Sequence, residues 1–229
     1  MSKAPVAAPS ALESTLGAGL LLSAIGGFLD AYTYIGHGMV FANAQSGNVL
    51  FAALAVANAQ WSVAFHHIPP MIALFAGIFF VRAIQLVCPR LKWRAASVCL
   101  AVESIVLLIN AALPANMNDY LSTVSISFAA SLQWSAFANI EGWTYTSIAA
   151  TGNMRQLADA LFTLSIGATP IAAATPRARA FAAICTGFAI GAVIGALATH
   201  AMGNAAALLP AICLLGMLMI IDVTARLPS

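Results

Sequence analysis

Charged side chains are scarce in this sequence. Lys and Arg number 9 and Asp and Glu number 7, so that charged residues make up only 7% of a chain of 229 residues. A soluble domain normally carries about 25% charged residues, and so few charges cannot cover a surface that faces water. Hydrophobic residues make up 62% of the chain. The composition therefore excludes a soluble globular domain and predicts an integral membrane protein that contacts the lipid bilayer.

Several kinds of function are excluded by what else is missing. A formal net charge of +2 is too small to neutralise a phosphate backbone, so we expect no nucleic-acid partner. The four cysteines show no C-x-x-C spacing, and we expect them to be packing residues rather than metal ligands or disulfides. The nucleophile elbow, the phosphate-binding loop, zinc-ligand spacings and the dinucleotide fingerprint are all absent from the sequence. We therefore expect no enzymatic activity, no cofactor and no resident metal.

Polar residues are concentrated in residues 41–48, inside an otherwise apolar region. Four hydrogen-bonding side chains and one glycine follow within six positions: Asn43, Gln45, Ser46, Gly47 and Asn48. The end of this segment is a hydroxyl-Gly-Asn triplet, the first triplet, and a second triplet recurs in the other half of the chain as Thr151, Gly152 and Asn153. Polar groups that loosen the backbone are costly in hydrocarbon, so their repetition predicts two broken helices that line a cavity.

The two triplets belong to a weak internal repeat. Each half contains an apolar span, a triplet segment and two further apolar spans, and the matching motifs keep a nearly constant spacing. Residues 1–15 are predicted to be a cytoplasmic tail. Residues 16–229 are predicted to form a single transmembrane domain, with repeat 1 at 16–113 and repeat 2 at 119–223.

The positive residues indicate how the chain crosses the membrane. If both triplet segments crossed completely, the basic loops 90–94 and 177–179 would lie on opposite sides. If each segment instead enters and returns through the same face, the following basic residues all lie on one side: Lys3, Arg90, Lys92, Arg94, Arg177, Arg179 and Arg226. The positive-inside rule favours the second arrangement, with both termini cytoplasmic. The sequence thus predicts an all-α bundle of about six crossing helices with two re-entrant segments. Three crossings per half would make the repeat inverted.

Three motifs in combination resemble the YoaK-like family of bacterial integral membrane proteins, which is defined by a domain of unknown function. They are Gly27-Phe28-Leu29-Asp30-Ala31, Gln45-Ser46-Gly47-Asn48, and Leu132-Gln133 followed by Thr151-Gly152-Asn153. Ser46 stands where the family usually has threonine, which preserves the hydroxyl group. The resemblance covers nearly the whole chain and implies a protein of roughly six helices in the bacterial cytoplasmic (inner) membrane. It does not imply a known activity.

Asp30 is the strongest candidate for a functional residue. A carboxylate within a membrane span is costly and usually faces a partner or a wet cavity. Asp30 could carry a proton or bind a cationic group. The structural alternative is an ion pair, with Arg82 or Arg155, or a contact that caps a helix.

The remaining candidate binding residues surround the triplets. With Asp30 they are Asn43, Gln45, Ser46, Gly47, Asn48, Gln133, Thr151, Gly152, Asn153 and Arg155. Helices that start at the triplets would favour an anionic group, and Arg155 would contribute only to such a ligand. The alternatives are that the triplets cap broken helices and that Arg155 pairs with Asp159 four residues later.

Two further patterns have a functional and a structural interpretation. His37, His66, His67 and His200 are expected in loops on the outer side, either as a proton or metal sensor or as ordinary exposed histidines. Residues 187–195 contain a doubled G-x-x-x-G, which serves either a homodimer or, as we favour, internal packing.

The hypothesis that unites these features is a small secondary transporter with a polar site between the two triplet segments. Its ligand would be a small molecule or an ion, and Asp30 would contribute the charge. The alternatives are a passive channel with the re-entrant segments as its filter, and a non-transporting membrane subunit or sensor in which the motifs are structural.

Overall fold

The computed structural model describes residues 13–91, 94–114, 119–167 and 171–226. These residues are helical almost throughout, which confirms the all-α prediction. The helices are α1 (Leu16–Gly36), α2 (Gln45–Ala57), α3 (Trp61–His66), α4 (Ile68–Leu91), α5 (Ala95–Ala111), α6 (Asp119–Ala136), α7 (Thr151–Ser165), α8 (Ile171–Met202) and α9 (Leu208–Arg226). A short 3-10 helix, Gly203–Ala207, joins α8 to α9.

A small antiparallel hairpin interrupts the helices between α6 and α7. Strand β1 (Asn139–Ile140) pairs with β2 (Trp143–Thr144), and the turn residues Glu141 and Gly142 have φ of 46° and 88°. Two positive φ angles are what a two-residue hairpin of this kind requires. This hairpin was not predicted from the sequence, because two-residue strands leave no periodic pattern.

Three stretches of described residues are long and apolar enough to cross a membrane: Leu16–Gly36, Trp61–Cys88 and Ala174–Thr224, the last of which contains two helices. Two shorter apolar helices are Gln45–Ala57 and Ala95–Ala111. Large apolar side chains also lie on the outer surface, for example Phe79, which is 72% exposed. The length and composition of these helices indicate a membrane protein. The number of crossings stays a prediction, since Lys3 and Lys92, two of the charges that support it, lie outside the described residues.

The start of α1 is held by local capping and by distant contacts. The hydroxyl oxygen of Thr15 accepts a hydrogen bond from the backbone N–H of Ala18 (3.2 Å), as a helix N-cap does. The carboxylate of Glu13 is bonded to Arg94, and the carbonyl oxygen of Ser14 accepts from the N–H of Glu141 (2.7 Å). The last three residues of the predicted tail, 13–15, therefore contact the domain. Residues 1–12 lie outside the described residues.

Helix α1 packs against α8 with almost no space between the two backbones. A Cβ atom at Gly191 would overlap the carbonyl oxygen of Ala24, and one at Gly195 would lie 2.6 Å from the carbonyl oxygen of Phe28. From the other side, a Cβ atom at Gly27 would overlap the carbonyl oxygen of Phe188. The doubled G-x-x-x-G motif therefore packs inside the chain, as favoured from the sequence.

Helices α4 and α6 form a second close pair. A Cβ atom at Gly77 would overlap the hydroxyl of Ser131 and lie 2.6 Å from the carbonyl oxygen of Phe128. In the predicted repeat, α1 corresponds to α6 and α8 corresponds to α4. Such a repeat would therefore relate the packed pair α1–α8 to the packed pair α6–α4. Helix α5 lies against α6 and α9. The main apolar core combines α1, α5, α6 and α9 and includes the fully buried Leu22, Leu29, Leu107 and Ile126.

We expect Gly191→Ala to destabilise the protein by about 1–3 kcal/mol, the usual cost of adding atoms to a well-packed contact. The reason is that the new methyl group would have to push α8 away from the backbone of Ala24. Thermal unfolding in detergent measures this change as a lower midpoint.

The matched control is Gly216→Ala in α9, where a Cβ atom would meet nothing within 4 Å. Replacing an unconstrained helix glycine by alanine stabilises a helix by up to about 1 kcal/mol. An unchanged or higher midpoint for Gly191→Ala would contradict the close α1–α8 contact.

Candidate functional site

Polar groups from other elements form hydrogen bonds to one face of α1 on three successive turns. The carbonyl oxygen of Leu22 accepts from Nε2 of Gln133 on α6 (3.0 Å). One turn later, the carbonyl oxygen of Gly26 accepts from Nδ2 of Asn43 (2.9 Å). Another turn later, Oδ1 of Asp30 accepts from the backbone N–H of Asn43 (2.7 Å) and of Ala44 (3.2 Å). Residues four apart share a helix face, so α6 and the loop before α2 meet on this side of α1.

The loop before α7 reaches α1 at the same turn. Gly26 has no side chain, and a Cβ atom there would overlap the carbonyl oxygen of Ser147 and lie 3.2 Å from the Cα atom of Ile148. Asn43 from one half of the chain and Ser147 from the other therefore both contact α1 at Gly26. The polar site predicted from the sequence lies between the two triplet segments. The contacts described here involve Asn43 and Ser147, which precede the triplets themselves.

Three buried oxygen atoms at this junction have no hydrogen-bond partner among the described residues: Oδ1 of Asn43, Oε1 of Gln133 and Oγ of Ser147. The two amide groups cannot be turned round, because their nitrogen atoms already donate to backbone carbonyl groups. Together with Asp30 these residues form what we call the acceptor cluster (Asp30, Asn43, Gln133 and Ser147). Buried polar atoms are normally paired, so this cluster is suited to a ligand that donates hydrogen bonds or carries positive charge.

The triplet asparagines close the loops that carry the cluster, and they do so in the same way. The side chain of Asn48 accepts from the N–H of Phe41 (3.0 Å) and donates to its carbonyl oxygen (2.7 Å). The side chain of Asn153 makes the same two bonds with Thr146, at 3.0 and 2.6 Å. In both cases the partner precedes the asparagine by seven residues. Both side chains therefore satisfy loop backbone, which is the structural role that the sequence left open.

The first loop has a further tie to α6. Nε2 of Gln45 donates to the carbonyl oxygen of Ala42 (2.8 Å) and lies 3.1 Å from the hydroxyl of Ser127, while Oε1 of Gln45 accepts from Asn48 (3.0 Å). The hydroxyl of Ser127 donates in turn to the carbonyl oxygen of Pro70 on α4 (2.8 Å). Gln45 thus positions the loop beside the cluster.

The remaining predicted site residues lie apart from the cluster. Four of them lie in the first turns of α2 and α7. Gly47 is half-exposed, and Ser46, Thr151 and Gly152 are exposed. The side chain of Arg155 is 86% exposed, and its Nε lies 4.0 Å from Asp159. The internal pair expected as the alternative for Arg155 is therefore present.

The ion-pair alternative for Asp30 was wrong. Its carboxylate bonds are to backbone N–H groups at the start of α2, whereas Arg82 is exposed and donates to Gln85 (3.0 Å). The contact that caps a helix, the other alternative, is the one observed. Conversely, the sequence analysis missed Ser147. Its only signal was its position four residues before the second triplet, and hydroxyl residues are too frequent for that signal to stand out.

The expectation that all four histidines lie in loops was wrong for His66, which ends α3, and for His200, which lies in α8. His37 and His67 lie in turns, but they are buried. His37 and His67 are 4% exposed, and their Nδ1 atoms lie 3.4 Å from Oδ1 of Asp119 and of Asn48, respectively. Burial lowers the pKa of His37, and the Asp119 carboxylate opposes this shift only in part. His66 packs its ring against Tyr120, and His200 is exposed as expected. Among the described residues, no group of three His, Cys, Asp or Glu side chains could hold a metal ion.

Comparison with known proteins gives one family. A family model described as "Protein of unknown function (DUF1275)" matches residues 18–221. No curated protein matches the chain, and no solved structure does.

We expect Asn48→Ala and Asn153→Ala each to destabilise the protein by about 2–3 kcal/mol, because each removes at least two buried hydrogen bonds worth about 1 kcal/mol apiece. The loop backbone left unpaired should also exchange its amide hydrogens faster, at residues 41–44 in the first variant and 146–149 in the second. Thermal unfolding and hydrogen exchange measure the two effects.

Asn58→Ala is the control, since the amide of Asn58 bonds only to its own helix, at Leu54, and is exposed. That change should stay within about 0.5 kcal/mol of the unchanged protein. Equal effects of all three substitutions would show that the loop bonds are not structural.

Proposed function

This chain belongs to the DUF1275 family of proteins of unknown function, and from that starting point we propose that it is a small secondary transporter of the bacterial cytoplasmic membrane. The match over residues 18–221 agrees with the family resemblance inferred from the sequence motifs. Because the family carries no assigned activity, the proposal depends on the candidate site.

The observation that supports transport most directly is the acceptor cluster. Among the described residues, Oδ1 of Asn43, Oε1 of Gln133 and Oγ of Ser147 have no hydrogen-bond partner, and all three residues contact α1, which carries Asp30. A buried hydrogen-bonding group that is left unused costs about 1–3 kcal/mol. Binding sites in transporters of this kind lie near the middle of the membrane, where broken helices from two halves of the chain meet. The loops before α2 and α7 are such breaks, and both contact Gly26.

The chemistry of the cluster favours a cationic ligand. Two of its unpaired atoms are amide oxygens, which only accept, the hydroxyl of Ser147 can accept as well as donate, and the carboxylate of Asp30 supplies negative charge. Arg155, the residue that would have bound an anion, is exposed and close to Asp159. We therefore propose a small cation, either a metal ion or an ammonium compound, as the ligand. Asp30, Asn43, Gln133 and Ser147 would bind it, and the triplets would hold the loops in place.

An arrangement of six crossings with an inverted repeat is consistent with these elements. Helix α2 has 13 residues, or about 20 Å at 1.5 Å per residue, which is shorter than the roughly 30 Å of hydrocarbon that a spanning helix must cross. Helix α7 has 15 residues and carries Arg155 and Asp159 on its surface. The matching bonds of Asn48 and Asn153 support a common origin for the two halves. We propose that α2 and α7 are the re-entrant segments.

Transport can be measured in proteoliposomes with labelled sodium, rubidium and choline as probe cations. We expect a pH gradient to accelerate the uptake of at least one of them, and Asp30→Asn to abolish that uptake because the site loses its negative charge. The control is Asp159→Asn, whose side chain is 56% exposed on α7 and should leave uptake unchanged. Voltage-driven current that ignores the pH gradient would indicate a passive channel instead. Absence of flux for all three cations would contradict cation transport.

The re-entrant segments can be tested with single cysteines in a variant whose four native cysteines are replaced by alanine. Met39 and Trp61, which flank α2, are both exposed. Cysteines at these positions should react with a membrane-impermeant maleimide from the same side, the outside. Glu141 precedes α7 and Ser165 is its last residue, and both are exposed. Cysteines there should both react only from the cytoplasmic side. Labelling of either pair from opposite sides would mean that the segment crosses the membrane.

A further inference from the structure

A second carboxyl group lies deep in the helical bundle, outside the acceptor cluster. Glu103 is the central residue of α5, with eight helical residues on either side. At 1.5 Å per residue it is about 12 Å from each end of the helix. Its side chain is fully buried, with 0% exposed. An ionisable group at this depth is expensive and usually functional.

Both carboxyl oxygens of Glu103 lack a hydrogen-bond partner within the described ranges. Its face of α5 also carries Cys99 and Asn110. Cys99 packs in an apolar cluster with Leu132 of α6, and Nδ2 of Asn110 donates to the hydroxyl of Ser125 on α6 (3.0 Å). Glu103 lies between these two contacts, so its side chain faces the interface between α5 and α6.

No ion pair between described residues includes Glu103, and the charged groups of the neighbouring helices are directed elsewhere. On α4, Arg82 bonds to Gln85. On α6, Asp119 faces His37, and on α9, Asp222 accepts from the hydroxyl of Ser97 (2.7 Å). The other titratable side chains described on these helices are Cys88, Cys99, Tyr120 and Cys213, and none of them can supply a positive charge to balance a carboxylate. Arg90 and Arg226, whose side chains lie outside the described residues, belong to the last turns of α4 and α9, whereas Glu103 is the central residue of α5.

The surroundings of Glu103 also identify what can neutralise it. An isolated carboxylate in an apolar environment takes up a proton rather than stay charged. A metal cation such as calcium or magnesium would need about six oxygen ligands, whereas this face offers a cysteine, apolar side chains and, besides Glu103, one amide oxygen, that of Asn110. A proton needs only the carboxyl group itself.

We propose that Glu103 is a proton-binding site in the membrane interior and that it holds its proton in the conformation described here. In loading, a hydronium ion on one side of the membrane transfers a proton to the carboxylate and leaves water. In unloading, the carboxylic acid returns the proton to water on the other side. Both steps require water to reach the α5–α6 interface, so the proton can exchange only when these helices separate.

This assignment gives the two buried carboxyl groups different tasks. Asp30 holds the loop before α2 and binds the cation, while Glu103 carries the proton that a pH gradient would drive. The use of that proton for transport rests on the proposed function, but the binding of the proton does not.

Infrared spectroscopy of protein labelled with [13C]carboxyl glutamate tests proton binding directly. The chain contains only three glutamates, Glu13, Glu103 and Glu141. Glu13 is bonded to Arg94 and Glu141 is exposed in the hairpin turn, so neither shares the surroundings of Glu103. We expect one labelled C=O band of a protonated carboxyl group at neutral pH. It should vanish in Glu103→Gln and persist in Glu141→Gln.

The uncharged Glu103→Gln keeps the shape of the protonated side chain, so it should fold as the unchanged protein does. If it does not fold, the labelled double variant Glu13→Gln/Glu141→Gln decides the question, because Glu103 is then the only glutamate present. Absence of the labelled C=O band at neutral pH, or its persistence in Glu103→Gln, would overturn the assignment.

Transport separates the two proposals. In Glu103→Gln the acceleration of cation uptake by a pH gradient should be lost, while exchange of labelled for unlabelled cation continues. If the C=O band is present and no cation is transported, the proton site stands and the proposed function fails. If cation uptake still follows the pH gradient in Glu103→Gln, Glu103 is not the coupling site.

Discussion

The close contact of α1 with its neighbours is the constraint on which the rest of the structure depends. Gly27 lets the backbone of α8 approach on one side, and Gly26 lets the loop before α7 approach on another. Larger residues at these positions would force both elements away from the helix. Without this approach, Ser147 could not lie at the same turn of α1 as Asn43, and the acceptor cluster would not form.

The second requirement is that broken helices inside a membrane protein must satisfy their own backbone. Asn48 and Asn153 do so through identical pairs of bonds, and Asp30 does so at the start of α2. The side chains of these three polar residues are thus largely used in hydrogen bonds that hold the loops in place. What is left for a ligand is the smaller set of acceptor oxygens that this architecture positions and does not use.

The two buried carboxyl groups illustrate how local structure separates similar side chains. Asp30 lies beside the start of a helix, where N–H groups are available to a carboxylate. Glu103 lies in the middle of α5, where each backbone N–H is already bonded within the helix and no described side chain bonds to the carboxyl group. A carboxyl group is therefore suited to anchoring a loop and supplying negative charge at Asp30, and to carrying a proton at Glu103.

The sequence by itself determined the membrane class, the helical fold, the family and the two triplet segments, because composition and motifs are local properties of the chain. It also identified Asp30, Asn43 and Gln133, since polar residues are rare in apolar spans. Tertiary structure decided what those residues do. The position of Ser147 beside α1, the exposure of Arg155, the burial of His37 and the lack of a partner for Glu103 among the described residues all depend on which helices become neighbours. Which helices become neighbours depends on close backbone contacts between distant segments, for example that of Gly191 with Ala24. A single sequence does not show which helix a given glycine will contact.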